Sequence, residues 1–443
     1  MKTPIFDFLS KYAKDERLRL HMPGHKGLGL LGVENLDITE IDGADSFFHP
    51  DGIIKESEKN ASEIFGANTY FSTEGSSLCI RTMVYLLVDY AVRTGTNPLI
   101  LAGRNAHKSF INACALSGAT VEWLFPENSD CYLGCSLNAE QVEKAIVGAS
   151  QKPIAVYITT PDYLGNMLYV EKIAKVCKKH GILLAVDNAH GGYLKFLEKS
   201  LHPIDLGADM CCDSAHKTLS ALTGSAYLHL SKEFNAGVSV KSVMSLFGST
   251  SPSYLTLASL DLLNKELAED FSTRLTAFCK GVECVKQGLL DIGYRLLGDE
   301  PLKITIDCKS YGYRGVEFAQ ILRKKGVECE FCDPDFVVLM LSVNTGKEGL
   351  LKLAKTLFSI PEREKIEEKP PVIKRAEKVM EIRQAVLSKK KVVDLSSAVG
   401  KVLALDSVGC PPAVPIVVPG ERIDDHALEC FRYYGVNKVT IVD

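Results

Sequence analysis

The chain has 443 residues, 46% of them hydrophobic and 24% charged, with a formal net charge of −4. That length suffices for two or three domains of ordinary globular composition. The charge offers nothing to a nucleic acid, and no apolar run reaches the roughly 18 residues of a membrane span. Fourteen cysteines raise the question of disulfides. The first twenty residues, however, lack the apolar core of a secretory leader, so a reduced, cytoplasmic protein is expected. Cys329 and Cys332 form a lone C-x-x-C with no second pair at zinc spacing, and no metal site is expected.

Residues 1–55 read as an amino-terminal arm carrying the first of three His-Lys pairs, His25-Lys26; the others are His107-Lys108 and His216-Lys217. From 56 to 275 short apolar runs alternate with helix-length stretches. The runs "NPLILAG", "KPIAVYITT", "GILLAVDNAH" and "ADMCCDSAHK" read as buried strands, and "VEKIAKVCKKHG" as a helix stopped by Gly181. Such alternation predicts a mainly parallel sheet covered on both faces, with its ligand site beyond the carboxyl ends of the strands. Asp187, His190, His107 and Lys217 all follow apolar runs directly and fall at that edge. A long helical stretch then runs to about residue 290. Residues 276–362 hold the strands "LKITIDC" and "FVVLMLS" and read as a small α+β domain, and 363–443 as a charged, proline-containing linker with a C-terminal domain.

Four features bear on chemistry, each with an ordinary alternative. Asp187 closes a hydrophobic strand, where a carboxylate either caps the next segment or meets a cation. Lys217, set among Ser214, Thr218 and small residues, is either a solvated strand-end charge or an amine desolvated enough to form a Schiff base. Gly75-Ser76-Ser77 precede an apolar helix, as a serine cap or as donors to a phosphate. His107 can lie flat on an aromatic ring or serve as a hydrogen-bonded loop histidine. Their order along a parallel sheet describes a pyridoxal phosphate site: phosphate loop, imidazole, strand-end carboxylate, lysine.

The chain resembles the Orn/Lys/Arg decarboxylase family of fold-type I pyridoxal phosphate enzymes, in its short bacterial form without an N-terminal receiver-like domain. The likeness runs over nearly the whole length, through "LHMPGHKG", "ITEIDGADSFFHPDGIIKESE", "FGANTYF", "NAHKSF", "VDNAHGG", "SAHKTLSALTGSA", "STSPSYLTLASLD" and "PPAVPIVVPGE". It implies an aspartate aminotransferase-like large domain, a small α+β domain and a C-terminal appendage. It also implies that Lys217 forms the imine with the cofactor and that Asp187 partners the ring nitrogen. His107 would stack on the ring and His190 lie beside it. Ser76, Ser77, Ser214 and His216 would hold the phosphate, Gly75 would shape their loop, and Thr250 would reach the phosphate of a neighbouring subunit. The expected assembly is therefore a homodimer with shared sites, a higher oligomer being left open.

The resemblance further implies decarboxylation of a basic amino acid for polyamine synthesis, with arginine to agmatine favoured and lysine or ornithine next. Lys217 or His216 would return the proton to Cα. Glu330 and Asp333 are candidates to recognise the cationic side chain, or else solvated loop charges. Glu74 before the phosphate-loop glycine, Ala44 and Ser46 in "GADSFF", Asn188 after Asp187, and Cys410 before Pro-Pro depart from the family pattern. The alternatives are another fold-type I enzyme such as an aminotransferase, with Arg314 or Arg323 clasping the α-carboxylate, or a catalytically altered homologue that still binds the cofactor.

Overall fold

The computed structural model describes residues 1–127, 131–405, 409 and 411–443. They form two compact bodies, one of residues 1–94 and 184–275, the other of residues 95–183 and 276–443. The chain opens with α1 (Pro4–Ala13), α2 (Ile53–Phe65), β1 (Asn68–Ser72) and α3 (Gly75–Thr94). Next come β2 (Leu99–Gly103), α4 (Lys108–Ser117), β3 (Thr120–Leu124), α5 (Ala139–Gly148), β4 (Ala155–Thr159) and α6 (Val170–His180). They are followed by β5 (Leu183–Asp187), β6 (Met210–Asp213), α7 (Ala215–Thr218), β7 (Ala226–Leu230), α8 (Val240–Ser245), α9 (Tyr254–Ala268) and α10 (Phe271–Asp291). The remainder holds β8 (Leu296–Leu297), β9 (Lys303–Asp307), α11 (Gly315–Lys324), β10 (Phe331–Cys332), β11 (Phe336–Met340) and α12 (Gly346–Phe358). Last are α13 (Ile382–Leu387), β12 (Lys390–Asp394), β13 (Leu403–Leu405), α14 (Asp425–Tyr433) and β14 (Lys438–Val442).

In the first body β5 and β6 run parallel, with Asp187 opposite Cys212. Strand β7 is antiparallel to both β6 and β1. Every residue of β6 and β7 is buried, so these strands read as continuous apolar runs rather than alternating ones. In the second body β3, β2 and β4 lie side by side and parallel, each followed by a helix. Helix α6 shows why. Val170, Ile173, Ala174 and Cys177 are its buried residues, one stripe at helical spacing, and Gly181 ends it at φ 64° with its N–H on the Cys177 carbonyl.

The small α+β portion is the antiparallel sheet β10-β11-β9-β8 with α11 and α12. The C-terminal portion is the sheet β12-β14-β13 with α14. Leu403, Ile423, Phe431, Val439 and Ile441 of this portion share one apolar core with Leu133, Phe336 and Val338. The long helical stretch expected up to residue 290 is two helices. Helix α9 ends at Glu269, whose ψ of −112° leaves the helical region, and α10 restarts with Arg274 N–H bonded to the Asp270 carbonyl at 3.1 Å. Among the described residues no helix is long and apolar enough to cross a membrane.

Candidate active site

The carboxyl ends of β5 and β6 bring the chemistry-bearing side chains of the first body together. Asp187, 3% exposed, accepts the Ala189 N–H at 3.2 Å and lies 3.6 Å from the Cys212 thiol. Beyond β6 the chain turns into the single-turn helix α7, which carries His216 and Lys217. Lys217 Nζ lies 2.9 Å from Nε2 of the buried His190, so one proton is held between an amine and an imidazole. His216 donates from Nδ1 to the Ser225 carbonyl at 2.9 Å, which fixes its tautomer when neutral and ties α7 to the turn before β7.

Facing α7 is the amino terminus of α3. Ser214 Oγ donates to Ser76 Oγ at 3.0 Å, so the two hydroxyl loops named in the sequence meet. Gly75 adopts φ 67° and donates to the Gly224 carbonyl at 2.7 Å. A Cβ there would stand 3.9 Å from His216, an ordinary contact, so the left-handed backbone and not crowding is what calls for glycine. Ser72 braces the turn, donating to the Gly75 carbonyl and accepting the Glu74 N–H.

The departures from the family pattern have local explanations. Glu74 turns its carboxylate to the backbone N–H of Ser249, which pairs it within the loop that carries the exposed Thr250. Asp45, between Ala44 and Ser46, takes φ 69° and accepts the amides of Ser46, Asp51, Gly52 and Ile54, closing the start of α2. Asn188 donates to Asp213 Oδ1 at 2.6 Å. Cys410 lies outside the described residues. The first His-Lys pair stays within the arm, with His25 Nε2 3.2 Å from Asp37.

His107 belongs to the second body, where it caps α4, its Nδ1 accepting the Ser109 N–H at 3.1 Å. The C-terminal motif holds this loop. Lys108 N–H donates to the Ala413 carbonyl at 2.8 Å, and the buried Arg104 guanidinium donates to the carbonyls of Pro415 and Ile416 at 2.9 Å and to Glu421. The two acids considered for the substrate part ways. Asp333 is buried and accepts the amides of Asp335 and Phe336, with burial pushing its carboxyl up to about 7; it makes the turn into β11. Glu330 is exposed and accepts the Tyr163 hydroxyl at 3.0 Å. Arg314 and Arg323 are paired with Glu368 and Glu328 at the surface.

One feature of the first body escaped sequence reading. Asp213, fully buried, receives His202 Nε2 at 3.0 Å and His229 Nε2 at 3.2 Å on one oxygen and Asn188 on the other. Burial opposes its ionisation, yet His202 and His229 hold its carboxyl well below the usual range. His202, Cys211 and Asp213 place three donor atoms within 4.8 Å of one another. The carboxylate is already engaged by imidazole N–H groups, and burial pushes the Cys211 thiol well up, away from the thiolate a metal needs. The cluster is thus a hydrogen-bonded core. The signal available was a histidine inside the apolar strand "AYLHL" and an aspartate ending "ADMCCD".

Residues 3–288 match the family model for the Orn/Lys/Arg decarboxylase major domain, and residues 367–440 that for its C-terminal domain. The chain is 31% identical to an arginine decarboxylase of Halalkalibacterium halodurans, over 97% of this chain and 93% of the relative. It is 30% identical to an arginine decarboxylase of Bacillus anthracis, over 97% and 92%. The crystal structure of a lysine decarboxylase from Francisella novicida superposes with a TM-score of 0.81 at 17% identity, covering all of this chain and 81% of the other. That likeness fixes the fold as the fold-type I architecture.

Proposed function

Because the chain belongs to the Orn/Lys/Arg decarboxylase family, we propose that it decarboxylates a basic amino acid with pyridoxal phosphate as cofactor. Arginine, giving agmatine for polyamine synthesis, is the favoured substrate, ahead of lysine and ornithine. The observation that carries this reading is the meeting of Lys217 with His190, beside the α3 amino terminus and the Ser76–Ser214 pair, on strands whose ends also carry Asp187.

The residues fit the cofactor. Lys217 supplies the amine for its aldehyde. Ser76, Ser77, Ser214 and His216, with Gly75 opening the turn, form a donor set at a helix terminus suited to a phosphate dianion. Glu74, which would repel that phosphate, is held by Ser249 instead. Asp187 offers a buried carboxylate to keep a proton on the ring nitrogen, and His107 and His190 are the imidazoles assigned to the ring. When bound, the cofactor supplies an electron sink for the pair left behind as carbon dioxide departs. Lys217, or His216 one residue before it, then returns a proton to Cα; His190, 2.9 Å from Lys217 Nζ, keeps that amine in proton exchange. Glu330 remains the candidate for the substrate's cationic end.

The exposed Thr250 loop and the exposed Leu18, Leu20, Leu28, Leu30 and Leu31 of the arm favour a homodimer in which Thr250 serves the partner's phosphate site. The unbridged cysteines among the described residues fit a cytoplasmic setting. The test is incubation of the cofactor-loaded protein with arginine, lysine and ornithine, measuring carbon dioxide and amine. Stoichiometric amine from one of them supports the reading; keto acid without carbon dioxide would identify an aminotransferase.

A further inference from the structure

Alternation along a strand decides which side chains share a face. Asp187 stands opposite Cys212 in the β5–β6 register and meets its thiol, so these two share the face that carries the site. Asn188 and Asp213, each one residue further along, point to the other face and meet there at 2.6 Å. The backbone ladder continues past the strand ends beside this contact, with Asn188 N–H on the Cys212 carbonyl at 3.1 Å and Ser214 N–H on the Ala189 carbonyl at 3.3 Å. Behind Asp213 stand His202 and His229, and behind His229 Nδ1 the Thr69 hydroxyl at 2.9 Å. All four of Asn188, His202, Asp213 and His229 are fully buried.

We propose that Asp213, held by His202 and His229 and linked through Asn188, is a positioning residue that clamps the ends of β5 and β6 from the back of the sheet. The clamp sets Asp187 against Ser214 and Lys217. The inference rests on the reading of Lys217 and Asp187 as the cofactor's partners. The clamp joins the residue after Asp187 to the residue before Ser214, so any slack in it is transmitted to both sides of the site through one peptide unit. The amide of Asn188 is there for this contact, since its Oδ1 is buried without a hydrogen-bond partner among the described residues. Its nitrogen must face an ionised carboxylate, which fixes the amide's orientation. A glutamate at 188 would instead set two buried anions against each other, so the asparagine and the aspartate are matched.

The experiment compares the parent, Asn188→Ala, Asp213→Ala and Thr69→Val, each loaded with pyridoxal phosphate. Asn188→Ala removes the donor of the link and Asp213→Ala its acceptor; Thr69→Val loosens only its far end. The readouts are the pH at which the imine absorbance near about 420 nm titrates, the visible circular dichroism per bound cofactor, and kcat beside KM. In the two link variants the imine titration is expected to shift by about one pH unit, the scale of a lost neighbouring hydrogen bond or charge. The dichroic band should change amplitude and kcat should fall about tenfold with KM little changed. Thr69→Val should lower the melting temperature and leave the cofactor band as in the parent. A link variant that folds and keeps the parent's titration, dichroism and kcat overturns the proposal, whatever its melting temperature. A parent that forms no imine on Lys217 overturns the underlying reading of the site, and the clamp with it.

Discussion

Lys217 and His190 stand 2.9 Å apart, and Asp187 lies at the end of the neighbouring strand with its carboxylate braced by the Ala189 amide. Each of these residues was legible because it ends an apolar run or follows one closely, where a charged or imidazole side chain has no packing reason to be. Asp213 likewise ends a run, "ADMCCD", and His229 sits inside one, "AYLHL". What was not legible is that they form a unit, because the antiparallel pairing of β6 with β7 that joins them is announced by no local pattern. Asp333, by sequence a candidate for the substrate or else a solvated loop charge, is instead buried, with Oδ1 on the turn before β11 and Oδ2 without a hydrogen-bond partner among the described residues. At this scale the account predicts that Asp187→Asn still binds cofactor. Its decarboxylation should fall by on the order of 100-fold or more, the scale at which loss of one preorganised electrostatic partner registers. Single-turnover rates on the loaded variant check this, and a loss below about threefold would remove Asp187 from its role.

Among the elements, helix α6 and the parallel strands follow the sequence closely because their signals are local: a stripe at helical spacing, a glycine stop, an apolar run. The division between α9 and α10 was invisible because both sides favour helix and only the backbone at Glu269 departs. The motif "PPAVPIVVPGE" could be quoted but not understood until Arg104 was seen inside it. This buried guanidinium satisfies two carbonyls and Glu421, whose carboxylate also accepts the Val418 amide. Arg104→Met would leave Glu421 as a buried anion without its cation, at a cost of about 3 kcal/mol or more. Hydrogen exchange should then rise at residues 411–421 and at the start of α4. Unchanged protection of both segments would show that the motif is held by its apolar contacts alone.

For the whole molecule, the Asp213 cluster makes stability depend on pH. Burial holds His229 below the ordinary imidazole range against the pull of Asp213, and Asp213 itself is held below the carboxylate range. An unfolded chain takes up these two protons near about pH 6.5 and pH 3.9, the folded chain only at lower pH. Protons therefore bind the unfolded state first, and stability should fall as pH drops below about 6.5 and again below about 4. Thermal melts of the cofactor-free protein between pH 7.5 and 5 should show the first decline, and His229→Gln should flatten it. Equal declines in parent and variant would assign the acid sensitivity to other groups.

The central claim is that the cofactor is carried on one lysine, and its most direct test is covalent. The protein is loaded with pyridoxal phosphate, reduced with borohydride, digested, and its peptides weighed. The phosphopyridoxyl mass is predicted on the peptide containing Lys217, and nowhere in a Lys217→Ala variant treated alike. The same mass on Lys26 or Lys108, or an unmodified Lys217 peptide from protein that had been saturated with cofactor, would contradict the account.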